Sequence, residues 1–300
     1  MRHKKTTIIF LAIALAFVGT GFVAALNGYF GGGDTIPEDT FTRGLVGYWS
    51  FDEGTGQTAY DASGNGNNGI LGASSGSDSG DPRWTISTAS APSNVGGGLL
   101  FDGVDDYVEV PYSDSLDFGA GYVTYECWIK TSQSCSGARV YVSRYQGSGS
   151  TSIWLDCVDS SGNGKAYFGV RDSDGVLVGS GNSVTTINDG AWHHLVGVKS
   201  GNNVYIYVDG VLENSGSGSF TGNFNFTVGI AIGAHILYDP DYFAIGTIDE
   251  VRIYNRALSA EEIRYHYNRG GPVASWNFDE GSGSTIYDSS GNQHHGTLHE

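Results

Sequence analysis

Three sets of side chains in this 300-residue sequence place ligating or stacking groups at useful spacings. The first is DASGNG at residues 61–66, where Asp61, Ser63 and Asn65 offer oxygens at alternate positions and a glycine follows. Alternating hard oxygen donors with a turn-permitting glycine form the first half of a Ca²⁺ loop. Gly72 stands where an EF-hand would carry its bidentate glutamate, so this is not an EF-hand. DSSGNG at 159–164 has the same pattern inside what reads as a plain hairpin, so the pattern alone is weakly specific. The second set is Asp105-Asp106 in FDGVDDYVEV. Adjacent carboxylates repel unless a cation, backbone N–H groups or water accommodates them, and a solvated turn is the simplest reading. The third set is aromatic. Trp84, Tyr145, Trp154, Tyr238 and Tyr242 lie in or beside expected loops. Carbohydrate recognition needs an aromatic platform with a few polar groups around it, and these residues are the candidates for one.

The elements that must hold these groups read as strands. Short runs such as YVEVP, YVTYECWIK, RVYVSRY, SIWLDCV and VYIYVDG alternate apolar with polar residues, as half-buried antiparallel strands do. Asn163-Gly164, Asp174-Gly175, Gly201-Asn202 and Asp209-Gly210 supply hairpin chemistry, which gives Asp209 a turn-holding job. With 47 glycines between such runs, the expected class is an all-β sandwich. Trp49, Trp128 and Trp192 fall within strands and read as core. Strand alternation makes one of His193-His194 buried and the other exposed, and sends Asp249 and Glu250 to opposite faces. One short C-terminal helix is expected: Ser259-Ala260-Glu261-Glu262 is a capping box, and AEEIRYHYN runs on to Gly270. Following the last strand, it reads as a lid or spacer.

The start of the chain is a targeting segment. Arg2, Lys4 and Lys5 precede an uncharged apolar run from Thr6 to Leu26. That run is longer than the ~7–15 residues of a signal-peptide core and close to the ~20 that span a bilayer. Residues 1–26 therefore read as a signal anchor with the rest of the chain outside the cell membrane, or as a signal peptide cut at Val23-Ala24-Ala25. Residues 27–44 read as a linker. A net charge of −17 with no further Lys/Arg cluster argues against nucleic acid as a partner. Outside the cell, a pair among Cys127, Cys135 and Cys157 can form one disulfide; their spacing matches no zinc pattern.

Val46–Leu71 aligns without gaps on Val273–Leu298 at an offset of 227 residues. Trp49/Trp276, Phe51/Phe278, Asp52/Asp279, Glu53/Glu280 and Asp61/Asp288 keep register. A period of that size is a domain length rather than a solenoid repeat. The organisation expected is one domain at 45–270 and the truncated start of a second at 271–300.

Four segments then stand in order across residues 45–268: LVGYWSFDEGTGQTAYDASGNGNNG, LLFDGVDDYVEVP, WHHLVGVKSGNNVYIYVDG and IGTIDEVRIYNRALSAEEI. In them the chain resembles the LamG-like jelly-roll domains of the concanavalin A-like lectin/glucanase superfold. The resemblance implies a two-sheet antiparallel jelly-roll sandwich with its first and last strands close together. It also implies an extracellular binding or adhesion role, on carbohydrate or another surface polymer, with a spacer in a tandem array as the alternative. Members of the family often hold a structural Ca²⁺ near the chain-end strands, which on this sequence points to Asp61, Asn65 and Asp249. Glycoside hydrolases of the superfold carry Glu-x-Asp-x-x-Glu on one strand, and no such string occurs here. Nor does a His-Glu-x-x-His helix, so a non-catalytic module is expected.

Overall fold

The computed structural model describes residues 39, 41–72, 76–85, 97–117, 119, 121–135, 137–147, 149–158, 164–235 and 242–268, then 276, 278, 280–287 and 295–298. The targeting segment at 1–26, most of the 27–44 linker, Tyr238 and most of DSSGNG lie outside the described residues. Alternating apolar runs become strands in the order β1 (Leu45–Trp49), β2 (Thr58–Ala59), β3 (Gly69–Leu71), β4 (Arg83–Thr85), β5 (Gly98–Asp102), β6 (Val108–Val110), β7 (Tyr122–Lys130) and β8 (Arg139–Tyr145). There follow β9 (Ser152–Cys157), β10 (Ala166–Arg171), β11 (Leu177–Gly179), β12 (Trp192–Ser200), β13 (Asn203–Val208), β14 (Val211–Ser217), β15 (Ile230–Ile232) and β16 (Ile245–Tyr254). Helix α1 (Ala260–Tyr267) comes next.

The strands form two eight-stranded antiparallel sheets. The first runs β14-β13-β12-β7-β16-β5-β4, with β1 also on β16; the second runs β11-β10-β9-β8-β15-β6-β3-β2. The first and last strands of the sandwich are therefore neighbours, with Trp49 opposite Val251. Between the sheets lies a core that includes Trp49, Phe51, Phe101, Tyr125, Ile129 and Phe168. Cys135 and Cys157 form the disulfide, tying the segment after β7 to the end of β9, and Cys127 stays a buried free thiol. Burial pushes that thiol well above its ordinary range, so it sits as a small apolar side chain.

Strand β7 is buried on both faces, against the alternation expected of a half-wet strand. Tyr125, Cys127 and Ile129 point into the sandwich, while Glu126 and Trp128 meet α1 on the other side. Helix α1 is thus a covering element with a small core of its own (Val196, Val198, Tyr254, Leu258, Ile263), and not a lid or spacer. Its N-terminus is the expected capping box: the Ser259 hydroxyl accepts the Glu262 N–H, and the Glu262 carboxylate accepts the Ser259 N–H. Glu262 also takes Arg43 and Arg256, each at 2.8 Å. The helix corrects a second expectation, because His194 faces it: both His193 and His194 are buried. A bulge between Asp249 and Arg252, with Glu250 at φ +54°, breaks the alternation expected of β16. Asp209 holds its turn as expected, accepting the His194 N–H and pairing with His193 Nδ1.

Under α1 lies a buried polar network. Glu126 accepts from His194 Nε2 at 3.0 Å and His266 Nδ1 at 2.8 Å, with Arg252 at 3.3 Å. Burial alone would raise the Glu126 carboxyl, but His266 and His194 hold it well below its ordinary value.

The repeated segment has the same local backbone. Strands β17 (Thr285–Ile286) and β18 (Gly296–Thr297) pair as β2 and β3 do, at the 227-residue offset. Phe278 takes φ +58° where Phe51 takes +52°, and Tyr287 N–H bonds Glu280 as Tyr60 N–H bonds Glu53, both at 2.7 Å.

Removing the buried charge tests the network. Glu126→Gln is expected to lower unfolding free energy by about 3 kcal/mol in urea titrations at neutral pH. A depressed folded-state pKa contributes stability above the unfolded value of about 4.5, lost as pH falls through the folded value. The difference between wild type and Glu126→Gln should therefore shrink on acidification below about pH 4.5.

Candidate functional site

Helix α1 covers the outside of the first sheet, and among the described residues no helix covers the outside of the second. One row of partners crosses it: Glu109 opposite Ala231, Ala231 opposite Ser143, Ser143 opposite Trp154, Trp154 opposite Gly169, and Gly169 opposite Gly179. Directly opposed residues share a face, so these positions lie side by side. Their chain neighbours Val110, Ile230, Val142, Leu155 and Phe168 fill the core on the inner side. The two glycines are a floor: a Cβ at Gly169 would collide with the Trp154 indole, and one at Gly179 with the Tyr167 ring. The Trp154 ring therefore lies across β10 and the Tyr167 ring across β11, with centroids 6.4 Å apart and planes 32° from parallel.

His235, just past β15, gathers the rest. Tyr145 stacks on its imidazole at 4.5 Å, while Trp154 at 6.2 Å and Tyr242 at 5.7 Å meet it edge to face. Such offset and T-shaped pairs are the preferred aromatic arrangements. All four rings are only partly buried. Beside them opens a cleft of about 320 Å³, lined by Glu109, Tyr112, Ser143, Tyr145, Thr227 and Ala231 among others. Its wall is pinned from the end of β8. Gln146 Oε1 accepts both the N–H and the hydroxyl of Thr227, and buried Arg144 donates to the carbonyls of Leu116 and Val228. Beneath the platform Asp156 is buried opposite Tyr167. Burial pushes its carboxyl well above the ordinary range, against a hydrogen bond from the Trp154 side chain. The arrangement offers flat apolar faces with hydroxyls and one carboxylate at their rim.

Of the aromatics singled out in the sequence, Tyr145, Trp154 and Tyr242 come together. Trp84 does not join them. It sits in edge strand β4 of the other sheet, donates its indole N–H to the Gly56 carbonyl at 2.8 Å and packs edge-on to Phe51. His235 and Tyr167 were missed. Tyr167 shares its strand face with Gly169, and large-next-to-small alternation on AYFGVR was its only signal. His235 had none, since its place follows from β15 pairing with β8.

The Ca²⁺ candidates are engaged within the fold. Asp61 accepts the backbone N–H groups of Tyr48, Ser63 and Asn67. Asn65 donates to the Leu45 and Val46 carbonyls, so both residues stitch the loop to β1. Asp249 is fully buried at the bulge, accepting the Glu250 N–H. The Asp105-Asp106 turn differs from the solvated reading: Asp106 is buried and accepts the Asp102 N–H at 2.7 Å. Burial pushes its carboxyl up to about 6; the Asp102 N–H lowers it, and the charges of Asp102 and Asp105 raise it further.

A jelly-roll sandwich with an open aromatic face defines a broad class. Within it, the chain belongs to the concanavalin A-like lectin/glucanases superfamily, whose laminin G-type family model matches residues 102–264, just over half of the chain. No curated protein matches it in sequence. Among solved structures it is similar to domain 4 of AbnA, a GH43 extracellular arabinanase from Geobacillus stearothermophilus, solved with arabinotriose. That match has 21% identity, a TM-score of 0.52 and covers 73% of this chain and 96% of that one. The binding domain of Paraclostridial Mosquitocidal Protein 1 matches at 16% identity and a TM-score of 0.55, over 76% of this chain and 52% of that one. The binding domain of botulinum neurotoxin serotype G matches at 14% and 0.55, over 81% and 55%. The chain thus spans nearly all of the arabinanase domain and about half the length of the toxin domains.

The glycine floor is testable without any ligand. Gly169→Val is expected to lift the Trp154 ring, seen as a shifted tryptophan emission and altered near-ultraviolet circular dichroism with far-ultraviolet signal retained.

Proposed function

We propose that this chain is an exported, non-catalytic binding module that takes a carbohydrate or similar surface polymer on the open face of the second sheet. The observation that carries the reading is the convergence of Tyr145, Trp154 and Tyr242 on His235 beside a polar-rimmed cleft. Flat rings accept the apolar C–H faces of a sugar, and Glu109, Tyr112, Ser143 and Thr227 stand where hydroxyls would need partners. The arabinanase domain of the same fold was solved with arabinotriose, and a botulinum neurotoxin type C of this fold is described as depending on two ganglioside molecules. Hydrolysis of a glycosidic bond needs two carboxylates about 5–9 Å apart across the bond. Among the described residues lining the cleft, Glu109 is the only acid, which supports binding without catalysis.

Export and a membrane anchor rest on the basic flank and apolar run of residues 1–26. A second reading, an adhesive spacer in a tandem array, is favoured by one observation: the 285–297 hairpin reproduces the 58–70 hairpin.

A glycan array probed with the full chain, followed by calorimetry on the best oligosaccharide with arabinotriose included, tests the main reading. Trp154→Ala and Tyr145→Ala should each weaken binding at least tenfold, a typical cost at an aromatic anchor. Trp84→Phe should leave affinity unchanged. Absence of glycan binding, with self-association instead, would replace the lectin reading by the spacer.

A further inference from the structure

A second cavity lies on the first sheet, at the corner where the chain enters β1. Its volume is about 450 Å³, and Phe41, Tyr48, Asp52, Trp128, Glu250 and His266 are among its lining residues. It shares no lining residue with the cleft beside the aromatic face. His266, in the last turn of α1, is 2% exposed, and its Nδ1–H donates to Glu126 Oε2 at 2.8 Å. In the neutral ring that leaves Nε2 as an acceptor, and Nε2 has no hydrogen-bond partner. Phe41 stacks on the imidazole with centroids 4.4 Å apart. With one face under Phe41 and the Nδ1 edge on Glu126, the Nε2 edge is what the ring has left to offer the cavity.

The groups around it are acceptors too. Tyr48 donates its hydroxyl proton to Glu250 Oε1 at 3.0 Å, so its oxygen has only lone pairs to give a ligand. Burial holds that phenol up at about 12, which keeps the proton in place. The β16 bulge, with Glu250 at φ +54°, breaks strand alternation and sets this carboxylate beside Tyr48. Asp52 adds an exposed carboxylate. Arg252 is the one guanidinium among the described lining residues, and Glu126 and Glu250 already hold it. The corner therefore carries an excess of lone pairs and of negative charge.

We infer that this cavity binds a primary ammonium group, which donates an N–H to His266 Nε2 while Asp52 and Glu250 supply the countercharge. Nε2 needs a donor and the acids need a cation; an ammonium is both, with three N–H donors and no acceptor. A neutral polyol leaves the charge unbalanced, and a quaternary ammonium leaves Nε2 without its bond. The aromatic walls do not form a cation cage by themselves. Arg252 already lies over the Tyr48 ring at 4.2 Å, and Tyr267 stacks on Trp128 at 5.7 Å. Those rings instead exclude water, which strengthens the polar contacts they enclose. Two sources carry such a group, an amino sugar and a lysine side chain, and a net charge of −17 draws either. The inference is independent of any sugar bound on the other sheet.

The test uses the full chain at neutral pH and low salt, with the His266 ring nitrogens followed by nitrogen-15 NMR. Nα-acetyl-lysine amide and glucosamine are the two probes. Each is expected to move the Nε2 resonance upfield, as a lone pair does on accepting a hydrogen bond, and the tighter of the two names the source. Because the signal is read at His266, an amino sugar resting on the aromatic face does not register. Glucose, which is neutral, and tetramethylammonium, which has no N–H, should bind at least about tenfold more weakly, the worth of one hydrogen bond to a charged group. Asp52→Asn keeps the oxygen that accepts the Gly97 N–H, so it should fold normally and weaken both amines by about the same factor. The NMR titration of the wild-type chain needs no variant to fold. An Nε2 resonance unmoved by millimolar amine would overturn the site. So would equal binding of glucose or tetramethylammonium, or amine affinity that withstands Asp52→Asn.

Discussion

One buried carboxylate organises the first sheet. Glu126 sits at the centre of β7 and reaches β12 through His194, β16 through Arg252 and α1 through His266. An ion withdrawn from water this far is tolerated only if every partner stays in place, so the helix has one seat on the sheet. The outcome is more than local. Once α1 and its small apolar core occupy that outer surface, the sandwich has a closed side and an open side. The position of the open face thus follows from a buried polar contact on the other sheet.

On the open side the decisive residues are small ones. Glycine is usually a poor strand residue, since it packs nothing and leaves the backbone loose. Gly169 and Gly179 reverse that cost by letting two neighbouring rings lie flat across them. Aromatic faces turned parallel to the sheet present area rather than edges, which is the form a pyranose or furanose ring can rest on. The end of β3 uses the same device at Gly72, where a Cβ would strike Asp81 Oδ1.

Much of this was legible in sequence, where the signal was local. The capping box at Ser259 and the hairpin turn at Asp209 are decided within a few residues, and they appear where the sequence puts them. The family resemblance placed β1 beside β16. What could not be read depends on register between distant segments. His194 is buried because α1 lies over it, and His235 meets Tyr145 because β15 pairs with β8. Trp84 was grouped with the other aromatics as lying in or beside an expected loop, yet three residues of β4 carry it to the opposite sheet. The unpartnered nitrogen of His266 is likewise a property of packing, not of composition.

The pairing of β1 with β16 also bears on how the domain carries load. Leu45, where the sandwich is entered, lies opposite Tyr254, where the last strand ends. Tension between those two points acts across the strands, so the ladder opens one hydrogen bond at a time instead of shearing all together. Resistance then falls to the contacts clasping that corner: Arg43 and Arg256 on Glu262, and the Glu126–His266 bond behind them. A module held this way yields early along its stem while the aromatic face, on the other sheet, stays intact.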